Sequence, residues 1–171
     1  MDLLKILLDN AGSAGEIGKV AGVDSKATAS VIEKLLPAIS GGLQKNLQQS
    51  GGIDALAGAL KSGSHERYLD NPASLADASA KADGNGILGH LLGGKDASRQ
   101  LAAQVSGETG VDAGAIKNML PLVAALAMGA LSKKTDSGEK LQGGAGAMLG
   151  ELLGGQGGDL GALSGLMKKF L

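Results

Sequence analysis

Residues 119–131, Met-Leu-Pro-Leu-Val-Ala-Ala-Leu-Ala-Met-Gly-Ala-Leu, carry no charge and almost no polarity. A run dominated by Ala and Leu favours helix. A helix that is apolar on every side has to be covered on every side. The run is shorter than the roughly 20 residues that span a bilayer. It is therefore expected to be the central buried helix of a small helical domain, and no transmembrane segment is expected. The remainder of the chain has to supply its cover.

The materials for that cover are unusual. The 171 residues include one Phe, one Tyr and no Trp, so a core must be built from Leu, Ile, Val, Met and Ala. Ala and Leu outnumber the β-branched residues that suit sheets, which predicts an all-α fold. The 30 glycines predict short helices with Gly ends, or helices that pack very close. The net charge is −1, and just two of the sixteen basic residues, Arg67 and Arg99, are arginines. A protein that works on phosphate backbones usually has a basic face rich in Arg. The absence of Cys removes disulfides, thiolate nucleophiles and Cys zinc sites. It also fits a cytoplasmic location. The start, MDLLKILLDN, has an acidic residue at position 2 and no basic leader, so it is not read as a signal peptide.

Along the chain, Leu3–Leu8 forms an apolar cluster, with Gly12 and Gly15 as breakers before a helix at Glu16–Ala21. Asp24 or Ser25 is suited to cap a helix through Leu36, and Pro37 predicts a kink or break there. Gly51-Gly52 is a hinge before a short helix over Ile53–Leu60. The polar stretch 64–82 has helix potential at His65–Leu69 and Ser74–Ala80. Asp83-Gly84-Asn85-Gly86 has the composition of a turn, followed by a short helix at Ile87–Leu92. Helices follow at Ala97–Ser106 and from Asp112 into the apolar run.

Residues 17–39 and 101–123 are similar: a short helix, a Gly turn, a capped helix, then two apolar residues before Pro37 or Pro121. Gly-Val-Asp occurs in both, at 22–24 and 110–112, four residues out of step relative to the proline. This predicts a domain over 1–134 with two similar halves, about 1–50 and 84–134, joined by 51–83. Residues 135–171 then form a Gly-rich tail ending in an amphipathic helix.

The pattern Gly84-Asn85-Gly86-Ile87-Leu88-Gly89-His90-Leu91-Leu92-Gly93, the Gly-Val-Asp turn at 110–112 and Leu120-Pro121 resemble the YidB-like family of bacterial proteins of unknown function. The resemblance covers roughly residues 1–134. It implies an all-α fold with a homeodomain-like helical substructure, and it brings no catalytic residues with it.

Several local patterns bear on function. Ile17–Ile32 has helix-turn-helix spacing, with Gly18, Gly22, Val23 and Val31 at the expected small, turn and core positions. As a DNA reader it would present Ser25, Lys26, Ala29 and Ser30 to a groove. Over Gly15–Leu35 the charges cancel, because Lys19, Lys26 and Lys34 are matched by Glu16, Asp24 and Glu33. Gly89–Lys95 fits half of a phosphate loop, but Asp96 follows where a hydroxyl is needed. Asp83–Gly86 lacks the ligands of a calcium loop. His65 and His90 are the two histidines, and neither sits in a recognisable relay or metal pattern.

In the tail, Leu160, Leu163, Leu166, Met167, Phe170 and Leu171 fall on one side of a helix. The reading is a non-enzymatic, cofactor-free helical protein acting through protein–protein contacts, including self-association. DNA binding through the helix-turn-helix is the alternative.

Overall fold

The two Gly-Val-Asp triplets begin the two longest helices, and each does so in the same way. Gly22 and Gly110 take positive φ of 72° and 75°, a backbone conformation that glycine adopts without steric cost. The Asp24 carboxylate accepts from the Ala27 N–H at 2.9 Å, and the Asp112 carboxylate from the Ala115 N–H at 3.1 Å. These caps satisfy donors that a helix start leaves open.

A computed structural model describes residues 11–134. They form α1 (Ala11–Ala21), α2 (Ser25–Leu47), α3 (Gly52–Ser62), α4 (Arg67–Asp70), a 3-10 turn at Pro72–Ala76, α5 (Ala78–Leu92), α6 (Lys95–Thr109) and α7 (Ala113–Lys134). There is no strand among the described residues, so the fold is all-α.

Helix α7 is the element the others surround. Every residue from Met119 to Ser132 is buried. Helices α1, α4, α5 and α6 pack along it, α2 lies across α5 and α6, and α3 closes the far end. The main core joins Ile17, Ile32, Leu35, Tyr68 and Leu75 to the α7 face. A smaller cluster gathers Leu43, Leu56, Ala57 and Leu60 against Met128 and Leu131. By length and composition α7 could cross a membrane, yet 78% of its apolar window is buried inside the protein.

The two prolines do not end their helices. Pro37 lies inside α2 and Pro121 inside α7. Each deprives the carbonyl four residues earlier of its donor. Those carbonyls belong to Glu33 and Lys117, both exposed residues, so the lost bond falls on surface residues and not on the buried stripe of either helix. Hence the expected break at Pro37 does not occur.

Three further expectations need correction. Gly12 and Gly15 lie within α1 and do not interrupt it. The polar stretch is built from α4 and a 3-10 turn in place of helices at 65–69 and 74–80. Asp83–Gly86 is no turn: it is the middle of α5, and Ile87–Leu92 is that helix's second half. The physical reason is Gly84. It is buried, and a Cβ built on it would overlap the Pro121 carbonyl oxygen of α7. The missing side chain is used for close helix approach and not for chain reversal. Ala80, Gly84 and Leu88, spaced four apart, make the buried stripe of α5. Gly129 serves α7 similarly, against the His65 backbone.

Gly84→Ala should therefore destabilise the protein by about 1–3 kcal/mol through overpacking. Gly89 is exposed in the same helix, with nothing near an added Cβ. Gly89→Ala should stabilise by about 0.5–1 kcal/mol. Urea unfolding of the two variants checks the pair; equal effects would contradict the close-approach explanation.

Candidate functional site

Gly51, with φ of 76°, turns the chain so that α3 folds back beside the C-terminal half of α2. Leu56, Ala57 and Leu60 bury one face of α3 against Leu43 and α7. Its neighbouring positions, one turn apart, are Ala55 and Ala59. On α5 the row Ala82, Gly86 and His90 has the same four-residue spacing. Where two helices present Ala and Gly to each other, bulk is lacking between them. The result is a cavity of about 540 Å³ between α2, α3 and α5. Leu47, Ile87 and Leu91 line its sides and Met128 of α7 its floor. Asn46 ties one rim together by donating from Nδ2 to the His90 carbonyl at 2.7 Å.

One end of this groove is polar. His65 and Asp83 line it, and Tyr68 stands behind them. Tyr68 is fully buried as a residue; its hydroxyl donates to Asp83 Oδ2 at 2.5 Å and accepts from Arg67 at 2.7 Å. Arg67 also reaches Asp83 Oδ2 at 3.2 Å, and its guanidinium lies 4.8 Å from the Tyr68 ring centroid. Burial raises the Tyr68 pKa above its usual 10.0, and the hydrogen bond to Asp83 raises it further. His65 is 8% exposed. Its Nδ1 is buried with no hydrogen-bond partner among the described residues. Burial lowers its pKa below 6.5; the Asp83 charge and a backbone hydrogen bond with Ala59 oppose this, while Arg67 adds to it. The groove thus has an apolar body and one end where a neutral imidazole sits beside a tied carboxylate.

The residues singled out in the sequence are placed elsewhere. Ser25, Lys26 and Ser30 are exposed on the first turns of α2, and Ala29 is half-buried. They do not line the groove. Nearby, Lys19 pairs with Glu16 at 2.7 Å and Lys34 with Glu108 at 3.3 Å. Thr28 is buried and donates its hydroxyl to the Asp24 carbonyl, which explains how a polar residue fits an apolar position. Gly89–Lys95 is the end of α5, its Gly93-Gly94 stop and the start of α6, with no strand before it. The apolar face Leu160, Leu163, Leu166, Met167, Phe170 and Leu171 lies outside the described residues. Among the described residues, no group of three or more His, Asp or Glu side chains is arranged to hold a metal ion.

Sequence reasoning missed the groove and the partners of His65. Asp83 is eighteen residues from His65, on another helix. A signal for the groove was present: Ala55/Ala59 and Ala82/Gly86 are rows of small residues at helical spacing.

A model of a family of bacterial proteins of unknown function, DUF937, matches residues 7–134. The chain belongs to the DUF937 family. The match includes the whole described body, groove and polar end included, and stops where α7 stops. Comparison with curated proteins and with solved structures gave no match. DUF937 membership brings no activity, so function has to be argued from the groove itself.

Because the unfolded chain binds the His65 proton more readily than the folded one, this residue's contribution is intact above pH 6.5. It is lost as pH falls from there through the lower folded value. Urea midpoints measured across that range should fall less steeply for His65→Gln than for the parent chain. An unchanged slope would show that His65 is not held neutral by the fold.

Proposed function

We propose that this chain is a non-enzymatic protein-interaction module whose groove receives the apolar face of an amphipathic helix. The observation that carries the reading is the groove's construction: leucines, Ile87 and Met128 around a wall of Ala and Gly, open at the surface. Helix-in-groove recognition uses such a surface, with bulky anchors at i, i+3, i+4 and i+7 entering the space that small residues leave. The Met128 floor can adjust to differently shaped anchors. The polar end supports binding more than chemistry, since Asp83 is already engaged by Tyr68 and Arg67. A cytoplasmic partner protein, or a second copy bringing its own apolar segment, supplies the matching face. No cofactor enters this reading.

The alternative, DNA binding, is favoured by the turn between α1 and α2, which suits the narrower YidB-like, homeodomain-like resemblance. It draws little support from charge. Two of the three lysines of that segment are in ion pairs, which weakens the counterion-release term.

The test uses Ala55→Glu, at an exposed position where substitution costs within about 0.5 kcal/mol of stability. A library of amphipathic helical peptides is presented to the full chain and to this variant. Peptides selected by the parent should carry Leu, Ile, Met or Phe at helical spacing and should lose at least ten-fold in affinity for the variant. A selection that does not distinguish the two proteins would remove the reading.

A further inference from the structure

We infer that the groove is the docking site of the chain's own C-terminal segment, Asp159–Leu171, folded back in cis as an amphipathic helix. This rests on the reading of the groove as a helix-binding surface, and it names the occupant.

The tail fits the groove in shape and chemistry. As a helix, the segment gathers Leu160, Leu163, Leu166, Met167, Phe170 and Leu171 within an arc of about 140°. Gly161, Gly165, Lys168 and Lys169 take the opposite side. From Leu160 onward this is an apolar stripe; Asp159, which projects into the same arc, is the first residue of the segment, where an acidic side chain suits a helix start. The stripe also holds the chain's one Phe, while the groove wall is Ala and Gly. Bulk missing from the body is present in the tail.

The chain leaves the body close to the groove. Met128 forms the groove floor, and α7 ends at Lys134. Six residues of helix advance about 9 Å. At that end Gly129 packs on the His65 backbone, and His65 lines the groove. Lys133 pairs with Asp70, and the Ser132 hydroxyl donates to Glu66 at 3.0 Å, which fixes the exit beside α4.

The connecting stretch is long enough to reach. Residues 135–158 contain nine glycines. A Gly-rich connection of this length spans about 25–30 Å root-mean-square. That exceeds the roughly 9 Å of helix between Met128 and the end of α7, so docking in cis needs no strain. Such a connection gives an effective concentration in the millimolar range. A second copy competes for the groove only when the protein itself approaches that concentration. Self-association then takes the form of a swapped tail. A partner helix has to displace the tail, which would make the segment a built-in competitor.

The absence of Cys makes a site-specific test straightforward. In the full chain, Ala55→Cys on the groove wall is combined with Ser164→Cys at the edge of the tail's apolar arc. A control joins Ser164→Cys with Gly107→Cys, an exposed position on α6 outside the groove. Each is treated with a short bismaleimide at micromolar protein, after thermal melts confirm that the variants fold. The 55/164 pair should cross-link within one chain at least ten-fold faster than 107/164. Adding Phe170→Asp and Leu163→Asp should bring it down to the control rate.

Equal rates for the two pairs, or a rate indifferent to the Asp substitutions, would overturn the inference. So would a product that is chiefly dimeric, which would make a second copy the occupant. If the inference fails while selected peptides still require Ala55, the groove reading stands with another occupant. If neither peptides nor tail use the groove, both fail.

Discussion

The constraint on which this structure depends is the need to cover α7 on all sides. A soluble helix usually buries one stripe and leaves the opposite face to water, but the stretch from Met119 to Ser132 has no such face. Burying a single Leu or Ile contributes about 1.5–3 kcal/mol, so each uncovered side would be a large loss. The chain meets the need with many short helices in place of a few long ones. Without aromatic bulk, it closes the gaps by bringing backbones together. Gly84 against Pro121 and Gly129 against His65 are two such approaches.

The same economy of side-chain volume produces the groove. Ala and Gly allow tight contact where helices meet directly, as at Gly84. Where the helices do not meet directly, as with α3 and α5 around Leu43, Leu56 and Ile87, they leave a space open to solvent. The groove is thus a by-product of how α7 is covered at its C-terminal end. Its polar end has a separate origin. A hydrogen-bonded side-chain cluster, Arg67, Tyr68 and Asp83, fastens the segment around α4 to α5. His65 is buried beside that cluster by the approach of Gly129.

The central helix, the all-α class, the Gly-Val-Asp turns and their Asp caps were legible in the sequence. Each depends on local chemistry: an uncharged run, helix propensity, a positive-φ glycine, a carboxylate near a helix start. What escaped local reading depends on a partner distant in sequence. Asp83–Gly86 has turn composition, and nothing within that tetrapeptide shows that Gly84 meets Pro121 thirty-seven residues later. Pro37 looks like a break until Glu33 and Pro37 are both seen to face water. His65 sits in no local relay or metal pattern, because the carboxylate beside it, Asp83, is brought there by α5. The groove was half legible, as rows of small residues whose facing could not be read from one strand of sequence.

Covering α7 is the claim from which the rest follows, and native-state hydrogen exchange tests it most directly. If α7 is enclosed by the six other helices, the amides of Val123–Leu131 open only when the whole protein unfolds. They should exchange more slowly than those of α3 or the exposed end of α2, with opening free energies equal to the global stability from urea unfolding. Exchange of these amides at rates like those of α3, through an opening well below the global value, would show that α7 is not the centre of the fold.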